Sequence, residues 1–116
     1  MPHMVIEYTP LEKGHITDED LMMAVHWAAV STGIFEESAI KVRVKQYQSA
    51  FVGGRPDQFV HVTIYLIDGR DEEAKKRLTQ TVHDRLASMF ADYASVSVDA
   101  RDLDRDVYTK SVPRGH

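Results

Sequence analysis

The sequence predicts an α/β (α+β) fold in which two β-α-β units form a four-stranded mixed sheet with both helices on one face. Segments with strand and helix patterns alternate as strand, helix, strand, and this order occurs twice. Both helical segments exceed the dozen residues that a crossover between parallel strands requires. The chain has 116 residues, a length typical of one domain, so residues 1–116 are predicted to fold together.

The first unit opens with a predicted strand directly after Pro2. A helix is predicted from Thr17, which can cap it, and Gly33 fits the position just past its end. One helical stripe of this segment is apolar, as expected for core packing; it contains Leu21, Val25, Ala28 and Ala29, with Met22 beside it. The second strand, residues 39–46, alternates between apolar residues and the cations Lys41, Arg43 and Lys45, which predicts that the cations share one face.

The second unit follows a turn-rich connection over residues 51–57. Its first strand, residues 59–67, is apolar on both faces, which predicts a central strand that is covered on both sides. The turn Asp68-Gly69-Arg70 leads into a second helix with Asp71 as a candidate cap. The apolar stripe of this helix consists of Leu78, Val82, Leu86, Met89 and Phe90.

A more polar strand over residues 95–103 completes the predicted sheet. The tail from about residue 104 has few apolar residues, and we expect it to be ordered against a neighbouring subunit. Two helices on one face leave the other face of the sheet bare. Oligomerisation is the natural way to cover it.

Composition excludes several classes of function. The net charge of −4 argues against nucleic acid as the main ligand. The absence of cysteine excludes a zinc thiolate site and a cysteine nucleophile. No stretch approaches a membrane span, and no signal-peptide pattern precedes the first strand, so a cytoplasmic location is expected. The six histidines show no metal-ligand spacing, and no nucleotide-binding motif is present.

The chemistry with most promise lies at Pro2. Removal of Met1 would leave Pro2 as the N-terminus, with a secondary amine in place of a non-basic amide nitrogen. A terminal amine has a reference pKa near ~7.7–8.0, and desolvation or nearby cations lower it towards the range of a general base. The alternative is an ordinary N-terminus with no chemical role.

Two groups of cations are candidates for binding an anion. Lys41, Arg43 and Lys45 share a strand face, which is either solvated or in contact with anions. Arg70 precedes a helix N-terminus, where carboxylates and phosphates bind readily. Its alternative role is that of a loop cation or a partner for Asp71. His61 lies mid-strand and is interpreted as a core or interface histidine.

The ordered motifs resemble the tautomerase superfamily and, within it, the 5-carboxymethyl-2-hydroxymuconate isomerases. The resemblance covers residues 2–103. It rests on Met1-Pro2-His3, on Thr32-Gly33-Ile34-Phe35 leading into residues 39–44, on Phe59-Val60-His61-Val62-Thr63, and on Gly69-Arg70.

The resemblance implies a homotrimer with active sites near subunit boundaries. It implies a cofactor-independent 1,3-shift of a proton in an unsaturated hydroxy-tricarboxylate, with Pro2 as the base. Arg70 and Arg43 match the family's functional arginines, while Lys41 stands where the family has its first basic strand residue. His3, next to Pro2, completes the expected substrate-binding set. Two alternatives remain open: another 2-hydroxydienoate or 2-oxo acid as substrate, or a non-catalytic trimer that binds a carboxylate.

Overall fold

The computed structural model describes residues 1–9, 15–90 and 92–114, which form one main sheet and two long helices. The helices are α1 (Asp18–Ser31) and α2 (Glu72–Phe90). The strands are β1 (His3–Tyr8), β2 (Lys41–Gln46), β3 (Phe51–Val52), β4 (Arg55–Pro56), β5 (Phe59–Ile67) and β6 (Ser95–Leu103). Single turns of 3₁₀ helix lie at Glu37–Ala39 and Arg105–Val107.

The main sheet has the strand order β2-β1-β5-β6. Strands β1 and β2 are parallel, as are β5 and β6, and the two pairs join through the antiparallel contact of β1 with β5. Each β-α-β unit therefore contributes one parallel pair, and the predicted mixed sheet is confirmed. Strands β3 and β4 form a small separate hairpin within the segment that the sequence predicts as turn-rich.

Both helices pack on the same face of the sheet, as predicted. The residues of β1 and β5 on that face are fully buried; they are Met4, Ile6, Val60, Val62, Ile64 and Leu66. The predicted stripes supply the opposing layer; their buried members are Leu21, Val25, Ala28, Ala29, Leu78, Val82, Leu86 and Phe90. The helical pattern also predicts Met89 in this stripe, but Met89 is only partly buried because it lies at the margin of the core.

The predicted helix starts are also found. The Thr17 hydroxyl accepts a hydrogen bond from the Asp20 backbone N–H at 3.1 Å, and the Asp20 carboxylate accepts one from the Thr17 N–H at 2.9 Å. This capping box satisfies two otherwise unpaired donors. Asp71 caps α2 by accepting from the Ala74 N–H at 2.8 Å. The second strand begins at Lys41, not at residue 39, because residues 37–39 form a 3₁₀ turn.

The other face of the sheet is open in the single chain. Strand β5 is central, as predicted, but His61, Thr63 and Tyr65 on its second face are only partly buried. The prediction of cover on both sides therefore fails for one chain, since both helices occupy the same face. Residues 10–14, between β1 and α1, lie outside the described residues. Within the described residues, neither helix has the length and apolarity needed to cross a membrane.

Candidate active site

The candidate site lies at one end of the main sheet. Strands β1 and β2 begin at this end because they are parallel. Strand β5 ends there because it runs antiparallel to β1, and β6 ends beside it. The same end of the sheet therefore carries three residues that are distant in the sequence, Pro2, Lys41 and Arg70.

Pro2 is buried at the start of β1, where its carbonyl accepts a hydrogen bond from the Lys41 N–H at 3.0 Å. The Met1 amine donates to the Ala39 carbonyl at 3.3 Å. The Lys41 Nζ donates to the same carbonyl at 3.4 Å. One carbonyl oxygen thus holds both the terminal amine and the Lys41 ammonium close to the Pro2 peptide.

Arg70 is positioned by the turn after β5 and by the loop after α1. Its guanidinium donates to the Ile67 carbonyl at 3.4 Å and to the Ile34 carbonyl at 3.5 Å, and it lies over the Phe35 ring at 5.0 Å. These hydrogen bonds are long and therefore weak. Asp71 caps α2 instead of pairing with Arg70. The guanidinium keeps donor capacity for an anionic ligand.

The cations change the protonation of the N-terminal amine. Burial, followed by the charges of Lys110, Lys41 and Arg70, lowers the pKa of the Met1 amine from 8.0 to about 6. At pH 7 an amine with that pKa is about nine-tenths neutral, against about one-tenth for an unperturbed one. A neutral amine has a free electron pair and can accept a proton.

Sequence reasoning did not identify Lys110 or Tyr108, both in the tail. The charge of Lys110 is one of those that lower the pKa of the Met1 amine. The Tyr108 hydroxyl lies 3.3 Å from the His3 Nε2. The predicted topology could have indicated a role for the tail, because the tail starts at the end of β6, and a parallel β5–β6 pair places that end beside the Arg70 turn. The expected contact of the tail with a neighbouring subunit stays a prediction.

His3 links Arg43 to this tail. An Arg43 N–H donates to the His3 Nδ1 at 3.2 Å. A guanidinium has donors only, so Nδ1 is the acceptor, and a neutral His3 carries its hydrogen on Nε2, which donates to the Tyr108 hydroxyl. Burial, then the charges of Arg43 and Lys41, lowers the pKa of His3, which favours this neutral form.

The predicted site residues therefore fall into two groups. Pro2, Lys41 and Arg70 come together around the chain terminus. His3 and Arg43 lie next to them on the open face of the sheet, and Arg43 is not among the charges that perturb the Met1 amine. Lys45, the third cation of the strand, lies over the Tyr47 ring at 5.2 Å.

This arrangement suits proton transfer on an anionic substrate. A weakly basic amine lies among cations that can hold carboxylates and stabilise an enolate. Within the described part of the chain, no three histidine or acidic side chains form a group that could hold a metal ion. Two β-α-β units in a mixed sheet, with a chain terminus among cations, define a tautomerase-type protein.

The family is shown by sequence. The chain belongs to the 5-carboxymethyl-2-hydroxymuconate isomerase family, whose model matches residues 2–111. This membership confirms the predicted resemblance and supports an isomerase or tautomerase function. No curated protein sequence matches the chain.

Solved structures show the same fold. A 5-carboxymethyl-2-hydroxymuconate isomerase from Deinococcus radiodurans R1 shares 23% identity over 95% of this chain and 88% of its own, with a TM-score of 0.81. A fused 4-OT described as a symmetric trimer shares 20% identity over 98% of this chain and 94% of its own, with a TM-score of 0.77. Pt0534, solved after inactivation by 2-oxo-3-pentynoate, shares 13% identity over 94% and 91%, with a TM-score of 0.80.

Proposed function

We propose that the chain is a cofactor-independent isomerase that moves a proton within an unsaturated 2-hydroxy polycarboxylate, with the Pro2 amine as general base once Met1 has been removed. The observation that carries this proposal is the set of Lys41, Arg70 and Lys110 around the chain terminus. The Met1 amine in these surroundings has a pKa of about 6. Because Pro2 is buried and lies beside Lys41, its own amine is expected to be shifted in the same direction.

The proton shift needs no electron acceptor. From the 2-hydroxy tautomer, the Pro2 nitrogen takes the hydroxyl proton, which gives a dienolate. From the 2-keto tautomer it takes a proton from the carbon next to the keto group, and the C–H electrons form the same dienolate, whose charge rests on the oxygen at C2. The protonated amine then returns the proton two carbons away, which gives the conjugated 2-oxo-3-ene acid. Proton and electrons are both conserved. General base catalysis by a positioned group of this kind typically accelerates a reaction by about 10²–10⁴-fold.

The cations determine which substrates fit. Arg70 and Lys41 are closest to the terminus, and Arg43 extends the positive surface along β2. A substrate with several carboxylates would use several of these cations. The number of cations, together with the description of the family, favours 5-carboxymethyl-2-hydroxymuconate or a close analogue from the breakdown of aromatic acids as the substrate. Lys41 has the charge of an arginine, but it cannot form the bidentate hydrogen bonds that a guanidinium makes with a carboxylate. Another 2-hydroxydienoate or a 2-oxo acid is therefore the second candidate substrate.

The open sheet face favours a homotrimer. Two helices cover one face only, and a similar fold is known from a symmetric trimer. A closed ring of three copies would cover the open faces around a common axis. Sedimentation equilibrium should then give three times the chain mass of 13.2 kDa.

The proposal is tested on protein whose N-terminus has been determined by intact mass. Ketonisation of 5-carboxymethyl-2-hydroxymuconate and of 2-hydroxymuconate would be followed by ultraviolet absorbance. Three proteins are compared: the form that begins at Pro2, a form that retains Met1, and Pro2→Ala. We expect full activity only in the first, because Met1 turns the Pro2 nitrogen into an amide. Pro2→Ala leaves a primary amine and should retain part of the rate.

Pro56→Ala is the matched control, since Pro56 lies in the exposed strand β4 far along the chain from the site. It should leave the rate unchanged. Equal rates with and without Met1 would refute the role of Pro2. Substrate binding without any turnover by the Pro2 form would instead favour the non-catalytic carboxylate-binding protein.

A further inference from the structure

The chain after β6 runs back across the candidate site. Residues 104–110, here called the C-terminal strap, begin where β6 ends, and the Leu103 carbonyl accepts a hydrogen bond from the Asp68 N–H at 3.0 Å. Asp104 then caps a single 3₁₀ turn, Arg105–Val107, by accepting from the Asp106 N–H at 3.0 Å. The strap therefore leaves the sheet next to the turn that carries Arg70.

Two side chains attach the strap to elements of the site. The Arg105 Nε donates to the Asp68 carboxylate at 2.7 Å, and its guanidinium also bonds to the Asp68 carbonyl. The same guanidinium lies against Gly69, where a Cβ atom would come within 2.6 Å of it. Three residues further on, Tyr108 is bonded to His3 at the start of β1. The strap thus connects the turn that carries Arg70 with His3, the residue that follows the candidate base.

These two attachments determine the position of Lys110. It is an exposed residue with a long flexible side chain, and it lies two residues after Tyr108, which is held at His3. Its ammonium is therefore close enough for its charge to act on the terminal amine. No acidic partner of Lys110 is found among the described ion pairs. An ammonium held beside a terminus, without a carboxylate of its own, is available for an anionic ligand.

We propose that the C-terminal strap completes the active site, with Lys110 binding a carboxylate of the substrate and with Arg105 and Tyr108 as positioning residues. This inference rests on the proposed function for the identity of the ligand. The class of ligand follows from the chemistry: a polycarboxylate, one of whose carboxylates reaches Lys110 while the others contact Arg70 and Lys41. A substrate with fewer carboxylates would depend less on Lys110.

Lys110→Met tests the binding role because it removes the charge and keeps most of the length. We expect KM for 5-carboxymethyl-2-hydroxymuconate to rise about two- to fivefold, as for loss of one exposed ion pair, with a smaller change in kcat. The effect on 2-hydroxypenta-2,4-dienoate, which has one carboxylate, should be smaller. Lys76→Met is the control, since Lys76 is an exposed lysine on α2. Equal effects of the two variants, or equal effects on both substrates, would overturn the role of Lys110.

Tyr108→Phe and Arg105→Ala test the positioning role. Each should speed amide hydrogen exchange in residues 104–110 and raise KM in the same direction as Lys110→Met, while Arg85→Ala on α2 should do neither. Combining Tyr108→Phe with Lys110→Met should add little to KM, because both act through the same ammonium. Unchanged exchange in both strap variants would overturn the proposal.

A further readout separates this proposal from the proposed function. The pH dependence of N-terminal acylation, followed by mass spectrometry, reports the protonation of the terminal amine without any turnover. Lys110→Met should shift this dependence to higher pH. If Pro2→Ala turns out to be fully active, the proposed function fails, but the acylation and exchange results still decide whether the strap lies on the terminus.

Discussion

Gly69→Ala probes the junction between the Arg70 turn and the strap. Gly69 has φ +112, a backbone conformation that side-chain-bearing residues rarely adopt. Forcing alanine into it costs about 1–3 kcal/mol. A second cost arises because the new Cβ would lie 2.6 Å from the Arg105 guanidinium, which must move away from Asp68. For a chain of this size, the backbone cost alone should lower Tm by roughly 4–12 °C.

A double-mutant cycle separates the two costs. In the Arg105→Ala background the clash is absent, so Gly69→Ala should have only its backbone cost. Gly33→Ala is the matched control, because Gly33 has φ +71 and no atom within 4 Å of an added Cβ. It should cost about 1–2 kcal/mol, with no dependence on Arg105.

The assay is urea or thermal unfolding at a fixed protein concentration, since stability of an oligomer depends on concentration. Steady-state kinetics on the same proteins should show a higher KM for Gly69→Ala, because Arg70 follows directly in the chain. If Gly69→Ala costs the same with and without Arg105, the guanidinium does not lie against Gly69, and the attachment of the strap is wrong.

Three further predictions concern the site and the first unit. Activity should depend on the neutral Pro2 amine, so kcat/KM should rise with pH through the pKa of that amine. Burial of Pro2 and the charge of Lys41 should place this limb at lower pH than the titration of an N-terminal prolyl peptide, and a limb at or above the pKa of the peptide would contradict it. Lys41→Met should move that limb to higher pH, while Lys41→Arg should leave it in place and change KM; an identical limb in Lys41→Met would remove Lys41 from the site. Thr17→Ala should cost about 1 kcal/mol in urea unfolding by loss of the α1 cap, against no change for Ser88→Ala on the exposed side of α2.

The sequence predicted the elements well because their signals are local. The apolar stripes of both helices and the alternation of β2 depend on residues within a few positions of each other. The sequence pattern predicts the start of β2 two residues early, because the apolar Ala39 and Ile40 continue the strand pattern although residues 37–39 form a 3₁₀ turn. The apolar character of β5 predicts its central position. Whether both faces of β5 are covered depends on which face of the sheet each helix packs against, and this is not encoded in the strand itself.

The site was predicted only in part because its members meet through long-range contacts. Pro2, Lys41 and Arg70 could be identified from motifs with recognisable positions at strand and helix ends. Tyr108 and Lys110 lie in a polar tail with no periodicity, and their contacts appear only once the tail is known to start beside Arg70. Resemblance to the family supplied roles for the motif residues, and it ended at residue 103, before the strap.

The antiparallel contact of β1 with β5 explains why the residues of the candidate site meet at one end of the main sheet. Strand β5 has nine residues and therefore spans about 30 Å. If β5 ran parallel to β1, Gly69 and Arg70 would leave the sheet at the opposite end, and so would the strap after β6. A charge at such a distance lies far beyond the Debye length of about 8 Å at physiological ionic strength. Arg70 and Lys110 would then no longer act on the terminal amine, and Lys41 alone would remain. The reversal at the centre of the sheet is thus what turns two β-α-β units, each with one cationic end, into a single basic site.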